Sequence, residues 1–199
     1  MLKQFENCKL NGQLVFIRPL MLEDEGLLSE VFSPKLFEYF PINFRTCKDF
    51  ISESLERRAH NKSFHLLILE NKSGRAVGST SFSNVSLTDK RLEIGSTFFG
   101  FDYQKLGYNV EVKLLLLQYL FEVLNLNRVE FKSDDLNTAS KLAMEKLGFV
   151  KEGLFRNHMI MSDGRLRNSA YYSVIQNEWN HTKKIIIDRF NKKLIKYHF

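Results

Sequence analysis

Between Arg91 and Lys132 the chain changes character in an order that few folds accommodate. RLEIGSTFF reads as a strand, since Leu92, Ile94, Phe98 and Phe99 supply β-type apolar character around a weakening Gly95. Gly100, Phe101 and Asp102 end it. Gln104-Lys105-Leu106-Gly107-Tyr108-Asn109 bridges to EVKLLLLQYLFEVL, whose apolar density predicts a helix buried on most sides and running to about Leu124. Asn109 is the candidate N-cap. RVEFK, from Arg128 to Lys132, follows as a strand with β-type alternation. A strand-helix-strand unit joins two parallel strands by a right-handed crossover.

A loop that brings backbone N–H groups to a helix N-terminus suits an anion, because those donors lack intrahelical partners and the helix dipole favours negative charge. The same residues also fit an ordinary strand-turn-helix connection. The longer spacing is more specific. Gln-x-x-Gly-x-Asn, after a strand containing Glu-Ile-Gly and before a helix opening near Glu111, resembles the acetyl-CoA-binding motif of the GNAT superfamily of N-acetyltransferases. It is most similar to the branch with the RimJ/RimL-type ribosomal-protein N-acetyltransferases. That branch has glycine where this chain has Lys105. If the position needs φ > 0, lysine costs about 1 kcal/mol there. Its charge near a phosphate offsets that cost.

Asn137 to Phe149, NTASKLAMEKLGF, is the second matching block. The resemblance implies that Asn137 hydrogen-bonds the pantetheine arm of CoA. Asn137 is equally a sound N-cap for the helix after it. The resemblance covers about Leu10 to Trp179. It implies a mixed, mostly antiparallel sheet of about seven strands, helices on both faces, and a splayed central parallel pair with the pantetheine in the gap.

The rest of the chain fits that α/β (α+β) class. Leu14 to Leu20 reads as a strand closed by Pro19, Glu23 to Phe32 as a helix interrupted by Ser33-Pro34, and Lys48 to Asn61 as a second helix. Leu36 to Phe44 is an aromatic loop that suits either an acceptor-site wall or packing on the core. Phe64 to Glu70 and Arg75 to Asn84 form a hairpin around Asn71-Lys72-Ser73-Gly74. Lys141 to Leu147 is a helix ended by Gly148. Phe149 to Met161 and Leu166 to Ile175 flank a tight turn at Asp163-Gly164. From Glu178 onward Trp179, Ile187, Phe190, Leu194 and Tyr197 recur at helical spacing. The expected organisation is therefore one acetyltransferase domain over residues 1–179, with a basic amphipathic helix over residues 180–199 packed on it.

At 199 residues the chain suits one domain with a sizeable core, and 18 phenylalanines predict an aromatic one. The net charge of +6 invites a nucleic-acid reading. Five lysines and one arginine against one aspartate lie between Asn180 and Phe199, so the body is nearly neutral. The basic tail suits an acidic partner such as a ribosome, and no zinc-finger or RNA-recognition spacing is present. Cys8 and Cys47 are far apart, which predicts reduced thiols in a cytoplasmic protein. The N-terminus has no signal-peptide h-region, and LLLLQYLF is too short to span a membrane. No residue cluster has metal-ligand spacing, and no nucleophile elbow is present. The oligomeric expectation is a monomer or a homodimer.

Acetyl transfer to an amine needs a base, an oxyanion donor, a stabilised leaving thiolate and alignment. Glu93 is the candidate base, acting through a water. Alternation fixes only that it avoids the face of Leu92 and Ile94, which also suits a solvent-facing residue. By resemblance, Ser96, Thr97 and Phe98 lie along the cofactor and one of their N–H groups meets the oxyanion. Many GNAT enzymes carry a tyrosine acid where this chain has Met144. In the RimJ/RimL-like branch a serine at the position of Ser140 is thought to take that role, and Ser140 also suits a plain first-turn position. Arg156, His158 and Tyr171, on the last hairpin, border the expected acceptor pocket or serve structure. The function implied is acetyl transfer from acetyl-CoA to a primary amine. The acceptor is a protein N-terminal α-amine or a small amine, such as an amino acid, polyamine or antibiotic. The alternative is a catalytically silent CoA-binding module.

Overall fold

The computed structural model describes residues 2–197. Its eight strands are β1 (Leu10–Asn11), β2 (Val15–Pro19), β3 (Ser63–Glu70), β4 (Ala76–Ser86), β5 (Arg91–Phe99), β6 (Arg128–Asp134), β7 (Val150–Ile160) and β8 (Leu166–Ile175). They form one sheet in the order β1-β2-β3-β4-β5-β6-β8-β7. β5 and β6 run parallel, and the other neighbours run antiparallel. The strand beyond the expected seven is β1, two residues that pair Leu10 with Ile17 and Asn11 with Phe16.

Five helices cover the sheet: α1 (Glu25–Ser29), α2 (Cys47–Ala59), α3 (Tyr108–Gln118), α4 (Thr138–Glu145) and α5 (Trp179–Tyr197). The period of two along each strand divides the core. Leu66 and Ile68 of β3 join one cluster with Val112, Leu116, Ile186 and Phe190 from α3 and α5. Leu67, between them, joins the other, with Leu28, Phe37, Phe44, Phe50 and Phe98. The aromatic loop thus builds a core of its own: Phe37 has ring neighbours Phe40, Phe44, Phe50 and Phe98 at 5.0–5.7 Å.

Three boundaries move for local reasons. The helix expected over Glu23 to Phe32 is a 3₁₀ turn, Leu22–Asp24, followed by the short α1. Buried Asp24 accepts hydrogen bonds from Arg18 and from the Met21 N–H (2.8 Å), which tightens that first turn. α3 begins at Tyr108 with Gly107 as its N-cap, so Asn109 sits inside the first turn rather than capping it. α3 ends in a π turn, Tyr119–Val123. α4 begins three residues before Lys141, because the Asn137 side chain accepts the Ser140 N–H at 2.9 Å.

On α5 the buried positions are Trp179, Thr182, Ile186 and Phe190. Ile186, not Ile187, faces the core, and Ile187 is half-buried. His198 and Phe199 of the basic tail lie outside the described residues.

The central gap follows from register. β5 and β6 pair only at Arg91–Arg128, Leu92–Val129 and Glu93–Glu130. Beyond Glu93, β5 stays with β4 as far as the Phe99–Gly78 pair, while β6 stays with β8 as far as Asp134–Ser169. The two parallel strands therefore part and leave a wedge between them.

Candidate active site

A cleft of about 920 Å³ opens where β5 and β6 separate. β5 lines it from Glu93 to Phe99, β6 from Phe131 to Asp134, α3 with Asn109 and Lys113, and α4 with Ser140 and Met144. Tyr39, Phe40, Pro41, Ile42 and Phe44 of the aromatic loop close one side. That loop is both a core element and a wall of the cleft.

β5 bends at a bulge. Ser81 pairs with Gly95 and Ser79 with Phe98, so Thr80 alone faces both Ser96 and Thr97. Ser96, at the inserted position, adopts the left-handed conformation with φ +47°. Thr97 Oγ1 lies 2.8 Å from Thr80 Oγ1, which holds the two sides of the bulge together. The bulge re-aims the backbone of Ser96, Thr97 and Phe98 at the start of the gap.

Glu93 precedes the bulge. Leu92 and Ile94 point into the α3 and α5 core, and the Glu93 carboxylate points to the other face, into the cleft. The residue is only 5% exposed. Asn84 Nδ2 donates to its Oε2 at 2.8 Å, and Lys132 Nζ lies 3.3 Å from the same oxygen.

The loop before α3 contains two left-handed residues, Lys105 (φ +67°) and Gly107 (φ +125°). A Cβ on Gly107 would also come within 3.2 Å of Lys193 Cβ on α5. Lys105 is exposed, and its carbonyl oxygen accepts a hydrogen bond from Lys193 Nζ at 2.6 Å. The N–H groups of Lys105, Leu106 and Gly107 have no hydrogen-bond acceptor among the described residues. Three successive unsatisfied donors at a helix N-terminus fit a pyrophosphate. Gln104 Nε2 donates to the Phe99 carbonyl (3.1 Å), fixing the loop to the end of β5.

Gln104, Lys105 and Asn109 line the cleft, whereas Leu106, Gly107 and Tyr108 do not. Leu106 packs against the core. The Tyr108 hydroxyl donates to Glu70, and burial together with that bond pushes the phenol upward. Ser140, Asn137 and Met144 all face the cleft. The Asn137 carbonyl oxygen is engaged as the helix cap, and its Nδ2 has no acceptor among the described residues. Arg156, His158 and Tyr171 lie outside the cleft. His158 is instead in a surface cluster, with Nδ1 3.1 Å from Ser169 Oγ and its ring beside Phe155 and Tyr171.

Three side chains that the sequence did not single out, Lys113, Arg167 and His65, line the cleft, and Glu111 braces α3 behind it. Lys113 is buried, donates to Thr97 Oγ1 at 3.1 Å, and is pushed down to about 7 by desolvation. Buried Arg167 lines the cleft and donates to the Tyr39 carbonyl (3.1 Å). His65 is buried beside Phe50, and desolvation holds its imidazole neutral, lowered to about 3. Glu111 accepts the N–H groups of Gln13, Leu14 (2.8 Å) and Val15 (2.9 Å), locking the β1–β2 turn onto α3. A charged residue inside the apolar run VEVKLLLL was the available signal for Lys113 and Glu111. Nothing local marks Arg167 or His65, since alternation alone does not reveal which face is dry.

Among the described residues no group of His, Cys, Asp and Glu could hold a metal, and no helix is long and apolar enough to cross a membrane.

Residues 15–150 match the acetyltransferase (GNAT) domain family. The chain is 28% identical over 168 residues to the Bacillus licheniformis protein named uncharacterized N-acetyltransferase p20, covering 82% of this chain and 93% of that one. YdaF of Bacillus subtilis (strain 168), provisionally named a ribosomal N-acetyltransferase, is 29% identical over 110 residues, covering 55% of this chain and 59% of that one. The crystal structure of a GCN5-related N-acetyltransferase from Brucella melitensis superposes with a TM-score of 0.80 at 26% identity, covering 90% of this chain and 84% of that one. The bulged β5, the donor-rich loop and the parted parallel strands therefore sit in a matched domain, and the chain belongs to the GNAT family of acetyl-CoA-dependent N-acetyltransferases.

Proposed function

We propose that this enzyme acetylates a protein N-terminal α-amine by direct transfer, without a covalent enzyme intermediate. The observation that carries the reading is Glu93, a buried carboxylate at the point where β5 and β6 part, oriented by Asn84 and Lys132. An ammonium has no lone pair, so the acceptor must first lose a proton, and Glu93 takes it through a water. An α-amine has a pKa near 7.7, so a modest base suffices. The nitrogen then bonds to the thioester carbonyl carbon as the C–S bond breaks, and Ser140 donates to the departing thiolate.

Gln104, Lys105, Leu106, Gly107, Tyr108 and Asn109 form the phosphate cradle, largely through backbone N–H groups. Asn137 uses its free Nδ2 on the pantetheine arm. A backbone N–H among Ser96, Thr97 and Phe98 meets the oxyanion, which the bulge at Ser96 supports. Lys132 and Arg167 in the cleft disfavour a polycationic acceptor. The provisional name of the relative YdaF agrees with a protein acceptor. We assign the activity to the cytoplasm, in keeping with two free thiols. Cys8 is buried and pushed up to about 12, which keeps it inert.

The test is thiol release from acetyl-CoA with paired peptides, one with a free N-terminus and one with a blocked N-terminus and an internal lysine, beside a panel of small amines. Turnover confined to free N-termini is expected. Turnover with a small amine and none with peptides would overturn the protein acceptor while leaving the enzyme class intact.

A further inference from the structure

Lys113 stands in the cleft without a counter-charge. Among the described residues no carboxylate lies within ion-pair distance of it, and its one hydrogen bond goes to Thr97 Oγ1 at 3.1 Å. The residue is 6% exposed, and Nζ lies 5.5 Å from the centre of the Phe131 ring. An ammonium carries three N–H donors, so two remain uncommitted in a place where water reaches poorly. Leaving them so is costly, and a leucine at this position of α3 would avoid the cost.

Position explains what those donors can meet. Lys113 follows Asn109 by four residues, so it shares the cleft-lining face of α3 one helical turn, about 5.4 Å, further in. Its two neighbours lie on opposite sides of the gap, Thr97 on β5 and Phe131 on β6. Lys113 thus spans the floor of the wedge. A CoA molecule with its phosphates at the loop and its arm between the parted strands runs over that floor. The arm carries no charge there, and its amide and thioester carbonyl oxygens are acceptors that an N–H donor can meet.

We infer that Lys113 is a further cofactor-binding residue, donating from the floor of the gap to a carbonyl oxygen of the acetyl-pantetheine arm. The inference rests on the acetyl-CoA-dependent reading of the cleft. Loss of the proton would not remove the contact, since a neutral amine still has one N–H for Thr97 and one for the ligand.

The experiment is calorimetric titration of the wild type, Lys113→Met and Lys113→Gln with acetyl-CoA and, separately, with adenosine bisphosphate, the nucleotide end of CoA without the arm. Lys113→Met is expected to bind acetyl-CoA about tenfold more weakly and the bisphosphate equally well, while the ligand-free protein melts at a higher temperature. Lys113→Gln keeps N–H donors and is expected to lose about threefold or less. Unchanged acetyl-CoA affinity in a folded Lys113→Met protein would overturn the inference. So would an equal loss with the bisphosphate, which assigns the contact to phosphate, or an equal loss in Lys113→Gln, which removes the donor argument. Mass spectrometry showing stoichiometric acetyl on Lys113 after incubation with acetyl-CoA would make it a nucleophile instead. Failure of the wild type to bind acetyl-CoA would overturn the reading of the cleft itself, and the inference with it.

Discussion

Lys193 Nζ donates to the carbonyl oxygen of Lys105 across 2.6 Å, tying the terminal helix to a left-handed residue of the loop before α3. Lysine at a φ of +67° costs about 1 kcal/mol, and a charge-assisted bond to its carbonyl is of the size needed to offset that. Replacing Lys193 with Met is therefore expected to lower the melting temperature by roughly 2–4 °C and, by loosening the loop, to weaken acetyl-CoA binding about fivefold. Calorimetric titration checks it, with Gly107→Trp as the variant expected to abolish binding by filling the loop.

The tail follows the same logic at larger scale. Ile186 and Phe190 are buried against α3, and each contributes about 1.5–3 kcal/mol by burial. Deleting Asn180 to Phe199 is expected to abolish cooperative unfolding in urea. Changing the exposed Lys184, Lys192 and Lys196 to Gln is expected to leave the melting temperature within a few degrees. Loss of ribosome association in that triple variant alone would point to a partner role for the tail charge.

Glu93→Gln keeps the Asn84 contact region filled but cannot take a proton. It is expected to lower kcat about a hundredfold or more while leaving acetyl-CoA affinity unchanged, as general-base loss does. A steady-state kinetic series beside calorimetry separates the two, and an unchanged kcat would remove Glu93 from the chemistry.

Glu111 holds three backbone N–H groups of the β1–β2 turn in a buried setting. Glu111→Ala orphans all three and is expected to cost roughly 3–5 kcal/mol in urea unfolding. The Gly12 backbone lies so close that a Cβ there would sit 2.6 Å from the Glu111 carboxyl carbon, so Gly12→Ala should be destabilising too.

His65 makes stability depend on pH. Desolvation, with Arg57 and Arg58 nearby, lowers its folded value to about 3, whereas the unfolded chain protonates near 6.5. A lowered base binds fewer protons folded than unfolded, so stability is full above about 6.5 and falls as pH drops toward 3. His65→Leu is expected to lose that pH dependence, so its stability relative to wild type rises as pH falls from about 6.5 toward 3. Denaturant titrations at several pH values read the difference.

Features that depend on a few adjacent residues were legible from the chain alone. Gln104 to Asn109 predicted a strand-to-helix loop, and Lys105 a position where glycine would be at ease. The structure has that loop, with Lys105 at positive φ. Asn137 capping and the Asp163-Gly164 turn are equally local, as was the alternation that turned Glu93 away from Leu92 and Ile94. Folding decided what those local facts could not reach. Alternation chooses a face, but only the parting of β5 and β6 makes Glu93's face a buried cleft. Helical periodicity did not tell Ile186 from Ile187, because the choice depends on where α5 crosses α3. The run VEVKLLLL predicted a buried helix, but what Lys113 and Glu111 meet there is set only when β5 and the β1–β2 turn close on α3. Burial and counter-charge are sums over residues distant in sequence, and tertiary packing alone performs that sum.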